Sequence, residues 1–182
     1  GVTAAAQRGL FEALVMRACD VIFALPPILS AMILGAFLGT GRMTAIIAIA
    51  VFMVPVFARV ALGSALQAWS RDYVLAARAI GNTQLSITLR HVLPNIMGSI
   101  IVQATIQLGL AILTEAGLAF LGLSVPPPAP TWGRMLADAQ TYFHVAPWLA
   151  LLPGLAIALS VLGFNLLGDG LRDLLDPREA TR

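Results

Sequence analysis

Four apolar blocks decide what this chain can fold into. They cover about residues 19–38, 43–58, 96–121 and 148–167, and the second continues past Arg59 towards Trp69. A helix of about 20 apolar residues crosses the hydrocarbon of a bilayer. Each block is too continuous for a helix that lies half in water. Lipid offers no partner to backbone N–H and C=O groups, so such spans must be helical. Composition agrees: 59% of residues are hydrophobic and 11% charged, whereas a soluble domain runs near half and a quarter. The expected fold is all-α, a polytopic transmembrane helical bundle of about four full spans in one domain over residues 1–182. An amphipathic lead-in, Leu10–Ala18, precedes the first span. Pro26-Pro27, Pro55 and Pro153 interrupt three spans. Membrane helices tolerate such prolines as kinks, whether for gating or for packing.

All 11 basic residues are arginine, and their placement orients the spans. Alternation puts residues 1–18, 69–95 and 169–182 on one side, with Arg8, Arg17, Arg71, Arg78, Arg90, Arg172, Arg178 and Arg182; the other side holds Arg42 and Arg134. Positive charge marks the cytoplasmic face, which assigns the 70–95 connection and the C-terminus to the cytoplasm. The loop over residues 125–147 is then extracytoplasmic. It opens with the stiff run Pro126-Pro127-Pro128-Ala129-Pro130 and is flanked by Trp132, Tyr142, Phe143 and Trp148, suited to the interface. It reads as an anchored cap on the helix ends or as a docking surface for an external partner. In the tail, Asp169 is placed to cap a short interfacial helix that Asp176-Pro177 ends.

The 70–95 segment is the long polar stretch between spans, and its residues predict two short helices. Alanines and a leucine favour helix over residues 72–80, with Ser70 as N-cap. Gly81 suits the left-handed position that ends a helix. Thr83 caps a second helix over residues 84–91, which Pro94 stops unless it begins the next segment. Tyr73, Ala76, Ala77 and Ile80 recur at helical spacing and form an apolar face that wants a groove. A mere connection between spans two and three could be far shorter.

Enzymatic constellations are missing from the sequence. Without a lysine the chain cannot form a P-loop for ATP. His91 and His144 fall on opposite sides of the membrane and cannot share a metal. No His-Glu-x-x-His, Gly-x-Ser-x-Gly or Cys-x-x-Cys pattern occurs. No cofactor or metal is expected, and a net charge of +2 is too small and scattered for nucleic-acid binding. The single cysteine, Cys19, reads as a small buried residue. Two carboxylates lie inside spans, where charge is costly and a functional role is the default. Asp20 sits near the cytoplasmic end and pairs with Arg17 three residues earlier. Glu115 is deeper, facing a solute pathway or partner helix unless it makes a structural hydrogen bond to nearby backbone. Gly109, Ala111, Ala116, Gly117 and Gly122 around it permit close helix packing.

The cytoplasmic segment resembles the "EAA" loop of binding-protein-dependent ABC importer permeases, Glu-Ala-Ala-x3-Gly followed by x9-Ile-x-Leu-Pro. Ala76, Ala77 and Gly81 fill its alanine and glycine positions and Leu93-Pro94 its end; Leu75 stands in place of the glutamate and His91 of the isoleucine. Glu115 to Leu123, the run from Pro127 to Gly133, and the tail from Phe164 to Arg178 are similar to the dipeptide, oligopeptide and nickel subfamily.

The resemblance implies a permease subunit of a bacterial inner membrane and no enzyme of its own. It implies pairing with a second permease subunit and docking of Tyr73, Ala76, Ala77, Arg78, Ile80, Gly81, Leu93 and Pro94 onto a cytoplasmic ATPase, two ATPases per transporter. It also implies an extracytoplasmic solute-binding protein as partner, besides membrane lipid. The solute would be a peptide or a related small molecule, with nickel and glutathione-like compounds as alternatives. Such permeases have a further N-terminal span and outside loop, so the chain, which opens at Gly1 without methionine or signal peptide, reads as the C-terminal two-thirds of a longer permease. The competing readings are a gradient-driven transporter or channel in which Asp20 and Glu115 relay ions, and a membrane scaffold.

Overall fold

The computed structural model describes residues 1–7 and 9–175. All their regular structure is helical, in the order α1 (Val2–Gln7), α2 (Leu10–Ala24), α3 (Pro27–Leu38), α4 (Arg42–Trp69), α5 (Asp72–Ala79) and α6 (Gln84–Ile87). A π-helical turn, Thr88–Val92, leads directly into α7 (Leu93–Phe120), followed by α8 (Trp132–Ala139), a 3-10 turn and α9 (Trp148–Leu175). Three helical runs are long and apolar enough to cross a membrane: Arg42–Trp69, Gln84–Phe120 and Trp148–Leu175.

The expected first span is interrupted. Helices α2 and α3 pass the same test only together, and they are bent by 86° at their junction. The cause is the Pro26-Pro27 pair. Pro27 starts α3 and Pro26 is held extended before it, at φ −58° and ψ 139°. A residue preceding proline is kept out of the helical region, and neither ring nitrogen has a hydrogen to donate. Pro55 and Pro153, by contrast, lie inside α4 and α9 without ending them. Beyond span four, the separate interfacial helix does not form: α9 runs on through Gly168, Asp169 and Gly170 to Leu175. Two glycines weaken a helix by about 1 kcal/mol each but do not stop it. The expected stop at Asp176-Pro177 lies outside the described residues.

The contacts of the chain group into two units. One comprises Gly1–Ala24, Val54–Ala104 and the described residues from Gly168 onward. Its core holds Ala5 of α1, Ala65, Ala68 and Trp69 of α4, Val74 and Ala77 of α5, and Ile87, Val92 and Ile96 further on. So many alanines let the helices approach closely, which suits packing where lipid supplies no hydrophobic drive. Cys19 is buried in this unit, as its apolar setting predicts.

The other unit comprises Leu25–Met53 and Thr105–Leu167, with Ala31, Ala45, Ala48 and Leu118 in its core. Gly133 of α8 lies against α7 so closely that a Cβ there would stand 2.0 Å from the Ala116 carbonyl oxygen. Leu151, Leu155, Leu159, Leu162 and Leu166 of α9 are exposed. A row of leucines at this spacing suits lipid or another subunit, not water.

Candidate functional site

The connection between α4 and α7 is an ordered hairpin. At its start, Trp69 is buried and the Ser70 hydroxyl donates to the Gln67 carbonyl, 2.8 Å away. Ser70 therefore closes α4 and does not cap α5. The residue before α5 is Arg71, extended at φ −78° and ψ 148°, without a side-chain cap. Its carbonyl accepts from the Val74 and Leu75 N–H groups. Asp72 in the first turn and Arg78 in the last complement the helix dipole. The Arg78 guanidinium also lies over the Trp69 ring, 4.9 Å from its centroid, a cation–π contact that ties the end of α5 to α4.

Gly81 takes the predicted left-handed conformation, at φ +87°. The Gly81 N–H donates to the Arg78 carbonyl at 3.0 Å, and the Asn82 N–H to the Ala77 carbonyl at 3.1 Å. This pair of bonds is the Schellman closure of a helix C-terminus. Thr83 then caps α6 as expected, its Oγ1 accepting from the Ser86 N–H at 3.3 Å. The Gln84 side-chain amide donates to the Ala6 carbonyl, which fastens α1 to the hairpin.

Pro94 does not stop the second helix. The helix continues from Gln84 to Phe120 because the chain widens just before the proline. In the π turn the Leu93 N–H reaches back five residues to the Thr88 carbonyl. That spacing relieves the clash a proline ring makes with the carbonyl four residues earlier. The Asn95 side-chain amide donates to the His91 carbonyl at 2.8 Å. The Tyr73 and His91 rings lie 6.3 Å apart, centroid to centroid, joining the two arms of the hairpin.

The structure sorts the expected docking residues. Ala77 turns inward with Val74, the two forming the buried side of α5. Tyr73, Ala76 and Ile80 stay exposed, Ile80 at 80%. Leu75 and Ala79 join them, because they lie opposite Val74 and Ala77 at 100° per residue. Leu93 packs against the core, whereas Pro94 is exposed. Once Val74 is read as a buried residue, the helical period alone finds Leu75.

The two carboxylates expected inside spans both have partners. Arg59 Nη2 donates to Asp20 Oδ1 at 2.6 Å, whereas Arg17 reaches Asp20 Oδ2 only at 4.0 Å. The expected Arg17 pair is thus secondary. The dominant cation comes from α4, 39 residues away, with its guanidinium 4.6 Å from the Phe23 ring centroid.

Glu115 Oε1 accepts a hydrogen bond from the Ser124 hydroxyl at 2.9 Å. The partner is a buried side chain, not the nearby backbone. A second glycine turn brings it there: Gly122 at φ +75°, with the Leu123 N–H donating to the Leu118 carbonyl at 2.8 Å. Helix α8, capped by Thr131 through the Arg134 N–H at 3.2 Å, then follows in the loop after the stiff proline run. Among the described residues no group of three or more His, Cys, Asp or Glu is placed to hold a metal ion.

Helices of spanning length joined by a structured, partly apolar hairpin define a polytopic membrane protein. The chain belongs to the family of binding-protein-dependent transport system inner membrane components, whose model matches residues 1–181. It is 48% identical over 170 residues to the glutathione transport system permease protein GsiD of Shigella flexneri serotype 5b and to that of Escherichia coli O6:K15:H31, an alignment covering 93% of this chain. The chain spans 56% of the length of these relatives.

Proposed function

We propose that the chain is the permease subunit of an ABC importer and forms, with a second permease subunit, the pathway for a small solute across the bacterial inner membrane. The solute is glutathione or a short peptide of similar chemistry, handed over by an extracytoplasmic binding protein. The hairpin over residues 70–95 is cytoplasmic, as is the C-terminus. It docks on one of two ATPase subunits, which hydrolyse the ATP.

One observation carries this reading: α5 presents Leu75, Ala76, Ala79 and Ile80 outward while Val74 and Ala77 anchor it from behind. An apolar helix face on a rigid backing is what a partner groove takes up. Force applied to that face reaches the membrane helices, because α5 is tied to α4 through Trp69 and to α7 through the Schellman turn and the continuous helix. Hydrolysis elsewhere would then bias the spans between two arrangements.

The test is disulfide crosslinking in the assembled transporter, in a Cys19→Ser background. Ala76→Cys should crosslink to a cysteine in the ATPase cleft, and the buried Ala77→Cys should not. Labelling of Ala76→Cys by a membrane-impermeant reagent from outside intact cells would overturn both the docking and the orientation.

A further inference from the structure

A cleft of about 460 Å³ opens in the first unit where the end of α4, the start of α5 and the first turns of α7 meet. Ser64 and Gln67 line it from α4, Arg71 and Asp72 from the start of α5, and Asn95 and Ser99 from α7. Ala68 and Ile96, both buried, and the half-exposed Tyr73 ring contribute apolar surface. Its lining sets it apart from the 710 Å³ cleft of the other unit, where Asn165 is the one polar side chain among leucines, alanines, glycines, valine, isoleucine and phenylalanine.

Among the described residues, the side chains of Ser64, Gln67, Arg71, Asp72 and Ser99 take part in no hydrogen bond or ion pair. The cleft also lies at one end of the long helices. Helix α4 has 28 residues, about 42 Å at 1.5 Å each, against hydrocarbon about 30 Å thick. Ser64 and Gln67 lie in its last two turns, and Asn95 and Ser99 in the first two of α7.

The chemistry of the lining selects a ligand class. Arg71 offers a planar fork of donors that matches a carboxylate. Neighbouring Asp72 offers the opposite charge for an ammonium group. The Gln67 and Asn95 amides each present donors and an acceptor, the complement of a peptide bond, and the serine hydroxyls can serve either way. The lining as a whole is more polar than apolar. The volume falls within the range of small-molecule sites.

We propose that this cleft is a binding site for a small zwitterionic solute that carries amide bonds, of the short-peptide class. The site is contiguous with the hairpin, since Arg71 and Asp72 are the residues on which α5 begins. A solute held there contacts the base of α5 beside the face that the partner takes up. The site rests on the coupling reading only for the side of the membrane it faces.

The experiment uses the assembled transporter in lipid nanodiscs, where both faces are open, with Ser99→Cys in the Cys19→Ser background. The rate of maleimide addition to Cys at 99 is followed by mass spectrometry. The probe is trialanine, with N-acetyl-trialanine amide as its uncharged counterpart. At about ten times its Kd, trialanine should slow labelling about tenfold, since only the unoccupied fraction reacts. The capped peptide should leave the rate unchanged, Arg71→Gln and Asp72→Asn should each abolish the protection, and a cysteine at the exposed Val145 (Val145→Cys), outside both the cleft and the docking face, should label at one rate throughout. The proposal is overturned if trialanine does not slow labelling, if the capped peptide protects equally, or if the cysteine at 99 is unreactive without ligand because another subunit fills the cleft. Failure of the coupling reading shows separately, in the Ala76→Cys crosslink.

Discussion

Replacing Gly81 isolates what the hairpin turn contributes to transport. The residue sits at φ +87°, and a Cβ placed there meets nothing within 4 Å. Substitution therefore acts through the backbone and not through a clash. An ordinary L-residue in the left-handed region costs about 1–2 kcal/mol, asparagine less, and a β-branched valine more. That cost falls on the turn that holds the Gly81–Arg78 and Asn82–Ala77 hydrogen bonds. A loss of about 1–2 kcal/mol lowers the ratio of closed to open turn by about 5–30-fold. Val74, Ala77, Ile87 and Val92 remain buried on either side, so insertion and the packing of the unit should survive. In the assembled transporter, uptake of labelled glutathione, the proposed solute, should fall in the order Gly81→Asn, Gly81→Ala, Gly81→Val. ATP hydrolysis should persist in all three, the signature of a broken linkage. Full uptake by Gly81→Val would refute the reasoning. So would equal losses in all three variants, which would point to space and not to backbone conformation.

Three shorter predictions follow from the packing. Gly133→Ala places a methyl group 2.0 Å from the Ala116 carbonyl oxygen, an overpacking that should cost about 1–3 kcal/mol; an unchanged unfolding temperature would show that α8 does not rest on α7 there. The Asp20–Arg59 pair, if it lies in lipid, should give a coupling energy above about 1 kcal/mol in a double-mutant cycle with Asp20→Asn and Arg59→Gln, whereas a pair in water would give less. Glu115→Gln keeps an oxygen that can accept from Ser124, so stability should hold while uptake of cationic solutes falls relative to neutral ones; an unaltered preference would leave Glu115 a structural role alone.

Local chemistry made much of this architecture legible in the sequence. The membrane-length parts of α4 and α7 follow from apolar runs, and Gly81 and Thr83 act as their residue types predict, because a left-handed glycine and a threonine cap depend on few neighbours. What stayed hidden depends on where other helices lie. Arg17 is the nearest cation to Asp20 along the chain, and only packing brings Arg59 closer. Ser124 reaches Glu115 because a turn at Gly122 folds the chain back. Pro94, which reads as a stop or as the start of the next segment, lies in the first turn of α7, and the wide turn that joins α7 to α6 without a break has no residue signature of its own. At the hairpin, spacing found the exposed Tyr73, Ala76 and Ile80 but assigned Ala77 to the outer face, since Val74 was not recognised as the residue pointing at the core.

The wide turn at Thr88–Val92 has a mechanical consequence of its own. A bond spanning five residues encloses one residue more than an α-helical turn. If that turn closed to ordinary spacing, the helix beyond it would rotate by about 100° and shift by about 1.5 Å relative to the hairpin. A plain α-helix fixes its pitch everywhere and transmits only pushes along or across its axis. Here a segment between the hairpin and α7 can also convert a push into a twist. The register of the residues that follow Leu93 is thereby set by bonds such as that from Leu93 to Thr88, within a turn of the His91 ring that touches Tyr73.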